Sequence, residues 1–305
     1  MNLNNFPLVS VIIPTRNRPN DLRRAVKSVL DQTYTNLEII IVDDFSEMDI
    51  RNIINEIQEE NGVSIVYIKN TEQLGNAETR NVGIKQAKGD YISFLDDDDE
   101  WLNTKIEKQI ALILQTGLKV CFCGTIWKEN NEILKKTLTQ SKTVSFENGG
   151  PTSTWLMHKS VFKKIGYFDK TFPANVDGEF LVRINNHFDS CFLEKYLYIH
   201  YYYENQITAS NNNKIVGFEK MISKHRDIFN SHELCSAYFK LCIFYLFDGK
   251  KNYYCIKQSL SNSVNAKNIS LLLIMIIPSM NISKFVLNKI LDYLKYPQSF
   301  AGRYH

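Results

Sequence analysis

The chain has 305 residues, 44% apolar and 23% charged, the balance of a soluble globular protein with room for one large domain and a smaller one. Its net charge of +3 is uneven: residues 1–205 carry 23 Lys/Arg against 28 Asp/Glu, and residues 206–305 carry 13 against 5. The six cysteines lack zinc-type spacing, which sets aside a zinc site and leaves Cys121 and Cys123 as core thiols; the first residues lack a secretory signal, so the expected location is the cytoplasm.

In chain order, Leu8 to Ile13 is an apolar β-branched run ended by Pro14, and Asp21 to Asp31 has helical spacing. Leu37 to Val42 is a second apolar run ended by Asp43-Asp44, Ile50 to Ile57 is helical and Val63 to Ile68 is strand-like. Ala77 to Ala87 predicts a helix and Tyr91 to Leu95 a short buried strand. Strands apolar throughout, separated by helices, predict a parallel sheet covered on both faces, with ligands at the carboxyl ends of the strands. That rule gathers three loops at one edge: Pro14 to Arg18, Asp43 to Ser46 and Asp96 to Glu100.

Beyond Trp101 the pattern predicts a helix to about Thr116, strands near Lys119–Ile126 and Thr143–Phe146, and a mixed strand–helix region from Thr154 to His187. The aromatic strand Tyr196–Tyr203 closes this part. Helical patterns follow in 213–230, 233–248, 251–262, 269–277 and 282–295; the apolar stretch Ile269 to Ile277 is too short to span a bilayer and reads as a packed or interfacial helix. The expected division is a large α/β domain over 1–205, with halves about 1–100 and 101–205, and a helical region over 206–305. The basic C-terminal region suits phosphates, an anionic membrane surface or a solvated helical face.

Five carboxylates, Asp96 to Glu100, arrive together behind the strand Tyr91 to Leu95. Several ionised acids beside an apolar strand need a counter-charge, and Mg²⁺ or Mn²⁺ with open positions for phosphate oxygens supplies it. Thr15 and Asn17, beyond Pro14, offer donors and acceptors for a base edge. Asp43 or Asp44 can accept a base N–H or hold a ribose hydroxyl, or cap the next helix. The helix opening at Gly75 carries Arg80, suited to a diphosphate or to the surface. Trp155 suits a place in the core, with stacking on a ligand as the alternative. No G-x-G-x-x-G follows the first strand and no P-loop is present.

The series Val9-Ser-Val-Ile-Ile-Pro-Thr-Arg-Asn-Arg18, Ser28-Val-Leu-Asp-Gln-Thr-Tyr34, Glu38-Ile-Ile-Ile-Val-Asp-Asp44, Asn76-Ala-Glu-Thr-Arg-Asn-Val-Gly83 and Gly89-Asp-Tyr-Ile-Ser-Phe-Leu-Asp-Asp-Asp-Asp-Glu-Trp101 resembles the family 2 glycosyltransferases. The resemblance covers roughly residues 8–205. It implies an α/β fold of the GT-A type, a mostly parallel central sheet, and inverting transfer from a nucleotide sugar. By that resemblance Pro14, Thr15 and Asp44 are nucleoside contacts with Asp43 as neighbour, and Arg80 lies on the diphosphate side. Asp96 and Asp98 are the D-x-D pair, with Asp98 the surer ligand of Mn²⁺ or Mg²⁺ and Asp97 in the variable middle position. Asp99 and Glu100 are left to cap the helix near Trp101.

Gly166-Tyr-Phe-Asp169 and Val176-Asp177-Gly-Glu179-Phe-Leu-Val-Arg183 resemble the family's G-x-F-D segment and acceptor motif. Val176 and Glu179 depart from its usual acids, while Asp177 keeps the central one and is the implied general base. Asn205 stands where relatives often carry a histidine. The implied activity is transfer of a sugar from a UDP-sugar to a polyprenyl-diphosphate-linked saccharide in O-antigen, capsule or exopolysaccharide synthesis. It places the chain at the inner membrane surface, with no nucleic-acid partner. The rival readings are a non-catalytic scaffold and a sugar-nucleotide pyrophosphorylase; Pro14-Thr-Arg-Asn17 is not the Gly-rich loop that the latter needs.

Overall fold

The computed structural model describes residues 6–138, 150–202, 210–247 and 258. Strand β1, Val9–Thr15, is buried along its whole length, and its two parallel neighbours are β2, Leu37–Asp43, and β4, Tyr91–Phe94. Strand β3, Ile65–Lys69, extends the parallel set beyond β2. Between them run α1 (Pro19–Leu30), α2 (Ile50–Asn61) and α3 (Asn76–Gln86). The β-branched strands alternate their side chains: Val11 and Ile13 join the core under α1 and α2, while Ile12 joins the opposite core with Ala77 and Ile84 of α3.

Past β4 the sheet becomes mixed. Its order is β3-β2-β1-β4, then β8 (Trp155–His158), β6 (Val120–Glu129), β9 (Cys191–Tyr202) and β5 (Glu100–Trp101), with β7 (Glu132–Thr137) paired to β6. Strand β8, Trp155–His158, runs antiparallel to β4 and to β6, Val120–Glu129, whereas β9, Cys191–Tyr202, runs parallel to β6. Helices α4 (Lys105–Thr116), α5 (Ser160–Ile165) and α6 (Val176–His187) complete this part. The parallel sheet expected from the sequence therefore holds for the first hundred residues and gives way to a mixed one beyond them.

One local expectation changes and three details are added. The helix after the acidic run begins at Lys105 rather than Trp101, because Glu100–Trp101 forms a two-residue strand, β5, against Tyr198 and Ile199. A further strand, β7 (Glu132–Thr137), makes a hairpin with β6 through Asn130 and Asn131, both at positive φ (49° and 66°), as a two-residue turn requires. Trp155 belongs to the core: it is fully buried, stacked 6.1 Å from Phe180 and 6.4 Å from Phe168, so it does not present its face to a sugar. Val161–Ile165 falls within the short helix α5.

The chain divides into two compact units, residues 1–171 with 176–206, and residues 172–175 with 207–305. In the second, α7 (Asn211–His225) and α8 (Ser231–Phe247) occupy the first two predicted helical stretches. The expected strand at 143–146, Asn205, and nearly all of the stretches 251–262, 269–277 and 282–295 lie outside the described residues. Among the described residues no helix is long and apolar enough to cross a membrane, and Cys121, Cys123, Cys191, Cys235 and Cys242 are buried.

Candidate active site

The carboxyl ends of β1, β2 and β4 meet at one edge. At β1, the Thr15 hydroxyl donates to Asp97 at 2.7 Å, and the Arg16 backbone N–H approaches the same oxygen at 3.4 Å. Pro14 is buried within β1 and Asn17 follows at φ 55°. The Asn17 side-chain oxygen accepts the backbone N–H of Glu47 at 2.8 Å, and its own N–H donates to the Ser46 hydroxyl. Asn17 thus ties the loop after β1 to the loop after β2.

Neither Asp43 nor Asp44 caps α2; Asp49 does that. Asp43 is fully buried and accepts the Ser46 N–H at 2.8 Å and the Tyr67 hydroxyl at 2.7 Å. Asp44 accepts Asn70 at 3.0 Å, Leu74 N–H at 2.7 Å and Gly75 N–H at 3.0 Å, which fixes the entry to α3.

Helix α3 lies close on β1: a Cβ at Gly83 would meet Ile12 at 2.5 Å. That approach sinks Arg80, whose side chain is 3% exposed, between two carboxylates. Its guanidinium donates to Asp96 at 2.6 Å, to the Thr152 hydroxyl at 3.0 Å and to Asp177 at 3.4 Å. Burial works against the charge of Arg80, but Asp96 and Asp177 outweigh it and hold its pKa above the ordinary value. Asn81, one residue on, exchanges hydrogen bonds at 2.9 Å with both backbone groups of Phe168, stapling the Gly166–Asp169 segment to α3.

Asp177 sits in the first turn of α6, where the helix dipole favours a carboxylate. Burial raises its pKa, opposed by Arg80; with 40% of its side chain open, water screens much of that effect. Glu179 is different. It is fully buried and salt-bridged to Arg183 at 2.7 Å, and Arg183 also donates to the carbonyls of Ile165 and Tyr167. Of the two acids in this turn, Asp177 faces Arg80 and Glu179 braces α6.

The acidic run resolves into separate environments. Asp96 takes Arg80, and its backbone N–H donates to Ser153 at 3.1 Å. Asp97 and Asp98 share Arg18, at 3.3 Å and 2.5 Å. Burial and their mutual repulsion push Asp97 up to about 7; burial, Asp99 and Asp96 push Asp98 up to about 6. Asp99 is fully buried and accepts Tyr198, His200 at 3.1 Å and the Tyr201 N–H at 3.0 Å, so it ties the run to β9 and caps no helix. Burial disfavours a charged His200, but Asp99 prevails and holds its pKa above the ordinary value. Glu100 lies in β5 and accepts the Tyr201 hydroxyl at 3.0 Å. Among the described residues no three His, Cys, Asp or Glu side chains gather into a metal-binding group.

Arg18, Thr152, Ser153 and His200 were not singled out from the sequence. Arg18 had a visible signal: it closes the same sheet-edge loop as Thr15 and Asn17, and Pro19 behind it starts α1.

A family model, Glycosyl transferase family 2, matches residues 10–183, more than half the chain. The chain belongs to this family. As a family 2 glycosyltransferase it is 30% identical over 312 residues to the GalNAc(5)-diNAcBac-PP-undecaprenol beta-1,3-glucosyltransferase of Campylobacter jejuni, spanning 92% of this chain and 96% of that one. It is 48% identical over 103 residues to the UDP-Glc:alpha-D-GlcNAc-diphosphoundecaprenol beta-1,3-glucosyltransferase WfaP of Escherichia coli, over 34% of this glycosyltransferase and 40% of that one. S. aureus TarS 1-349 in complex with UDP-GlcNAc shares the fold, at a TM-score of 0.63 and 17% identity, over 96% of this chain and 82% of that one. So does the mannosyltransferase PcManGT of Pyrobaculum calidifontis in complex with GDP-Man and Mn²⁺, at a TM-score of 0.62 and 14% identity, covering 96% and 86%. The curled mixed sheet is thus of the GT-A type.

Proposed function

We propose that this glycosyltransferase moves a sugar from a UDP-sugar to a hydroxyl of a polyprenyl-diphosphate-linked saccharide, with inversion, during synthesis of a bacterial surface polysaccharide. The observation that carries this reading is Arg80 held between Asp96 and Asp177. One guanidinium separates a donor-side carboxylate from a carboxylate on the acceptor motif. Inverting transfer is a single displacement: the acceptor oxygen attacks the anomeric carbon and loses its proton as the bond to diphosphate breaks. Asp177 takes that proton. Arg80, anchored by Thr152, holds Asp177 in place and sets positive charge beside the leaving diphosphate.

The donor's nucleoside lies along the loops after β1 and β2, beside Pro14, Thr15, Asn17, Asp43 and Asp44. Asp98 and Asp96 are the residues that would hold a divalent cation, Mn²⁺ or Mg²⁺, with Asp97 alongside. The carboxylates fit such an ion: hard oxygen donors, with burial and mutual repulsion that call for positive charge. When bound, such an ion would supply charge neutralisation for the leaving group. Arg18, paired with Asp97 and Asp98, is the internal counter-ion of these two carboxylates.

The activities of the Campylobacter and Escherichia relatives make glucose the first donor sugar to examine and an undecaprenyl-diphosphate-linked acetamido sugar the first acceptor. Such an acceptor places the enzyme on the cytoplasmic face of the inner membrane, where the basic residues 206–305 meet anionic headgroups. Calorimetric titration of UDP into the purified protein is expected to give binding that tightens at least tenfold when Mn²⁺ is added. UDP binding indifferent to Mn²⁺ removes the cation from this reading, and no UDP binding removes the reading.

A further inference from the structure

Phe45 combines two features that ordinary packing disfavours. It follows Asp44 with φ 62°, in the left-handed region, where a bulky side chain is strained and glycine is not. Its ring is also left in the open, at 46% exposure.

The strain is imposed from both sides. Asp44 donates its backbone N–H to the Thr15 carbonyl at 2.8 Å, and its carboxylate is fixed by Leu74 and Gly75. Ser46 donates its backbone N–H to Asp43 at 2.8 Å, accepts Asn17 N–H at 2.9 Å and gives its carbonyl to Lys69 at 2.7 Å. With both neighbours buried and bonded, residue 45 has one backbone conformation, and its side chain stays at the surface. Two more large apolar side chains are exposed on the adjoining loops: that of Met48, at 47%, whose backbone N–H approaches the Asn17 side-chain oxygen at 3.4 Å, and that of Leu74, at 36%, whose backbone N–H donates to Asp44 at 2.7 Å. The polar groups here are already engaged: Asn17, Asp43 and Asp44 each accept two or more internal hydrogen bonds.

We infer that Phe45 is a stacking platform for the nucleobase of the donor, with Met48 and Leu74 flanking the ring. The inference rests on the nucleotide-sugar reading above and adds to it the residue that binds the base by its face. A planar base has a π-face whatever its hydrogen-bonding edge, so a loop with engaged polar groups and an exposed ring on a fixed backbone grips it by stacking. The strained backbone keeps that ring in position before the donor arrives.

The test compares wild type, Phe45→Gly and Phe45→Trp by calorimetric titration with UDP, together with thermal melting. Phe45→Gly relieves the left-handed strain, so its melting temperature is expected to equal or exceed that of wild type, while its UDP affinity falls about tenfold or more. Phe45→Trp is expected to keep wild-type affinity, and the fluorescence of the new indole to be quenched as UDP binds. A loss under threefold in Phe45→Gly, or an indole that UDP leaves unquenched, overturns the inference while wild-type binding leaves the parent reading intact. Failure of wild type itself to bind UDP removes both.

Discussion

Asp177→Asn is expected to lower kcat for sugar transfer by about a thousandfold and to leave UDP affinity within twofold of wild type. The substitution keeps the shape of the side chain and removes its ability to take a proton. Arg80 retains Asp96 at 2.6 Å and Thr152 at 3.0 Å, so the donor side of the site keeps its arrangement. Arg80, the buried charge that loses a partner in this change, keeps Asp96 as its counter-ion, so it is not stranded. Glu179, one position past Gly178, is no substitute base, because it is fully buried and engaged by Arg183. Initial rates with UDP-sugar and a lipid-linked acceptor, alongside calorimetry with UDP, separate the two quantities. Retained transfer in this variant assigns the base to another group.

Arg80→Met is expected to damage both catalysis and stability. It removes a buried cation and leaves Asp96 and Asp177 facing one another with no counter-charge between them. Because those carboxylates are 29% and 40% exposed, water recovers part of the loss, and the stability decrease is expected to be roughly 2 kcal/mol rather than the full penalty of a buried pair. Transfer is expected to fall at least a hundredfold, through loss of charge beside the diphosphate and of the group that positions Asp177. Arg80→Lys separates the two effects. A lysine keeps the charge but not the planar fork that reaches Asp96, Thr152 and Asp177 together, so melting recovers while kcat remains low. Equal recovery of both in Arg80→Lys contradicts the bridging role.

The alternation of strands and helices over the first hundred residues was legible because each element carries its own period, and Pro14, Asp43 and Asp96 mark where three strands end. The same local signals misled at Asp99 and Glu100. An acid pair before a helix has the pattern of a cap, and what decides otherwise lies a hundred residues away: Tyr198, His200 and Tyr201 on β9 take Asp99 as their partner. Strand β5 is invisible for the same reason, since two residues have no periodicity and exist as a strand only through Ile199 and Tyr198. Trp155 was ambiguous because its residue type suits a sugar or a core, and three aromatic neighbours from β6, the Gly166–Asp169 segment and α6 enclose it. The resemblance named Arg80 and Asp177 separately. That one guanidinium joins them depends on how closely α3 lies on β1, a contact fixed by Gly83 against Ile12.

The most direct measurement is the anomeric configuration of the product. The purified protein, supplied with an α-linked UDP-sugar donor and a polyprenyl-diphosphate-linked acceptor, is expected to yield a β-glycosidic bond, read from the anomeric coupling constants by NMR. One displacement with Asp177 as base and UDP as leaving group permits only that outcome. An α-linked product requires two displacements through a glycosyl-enzyme, or front-face attack, and contradicts the account.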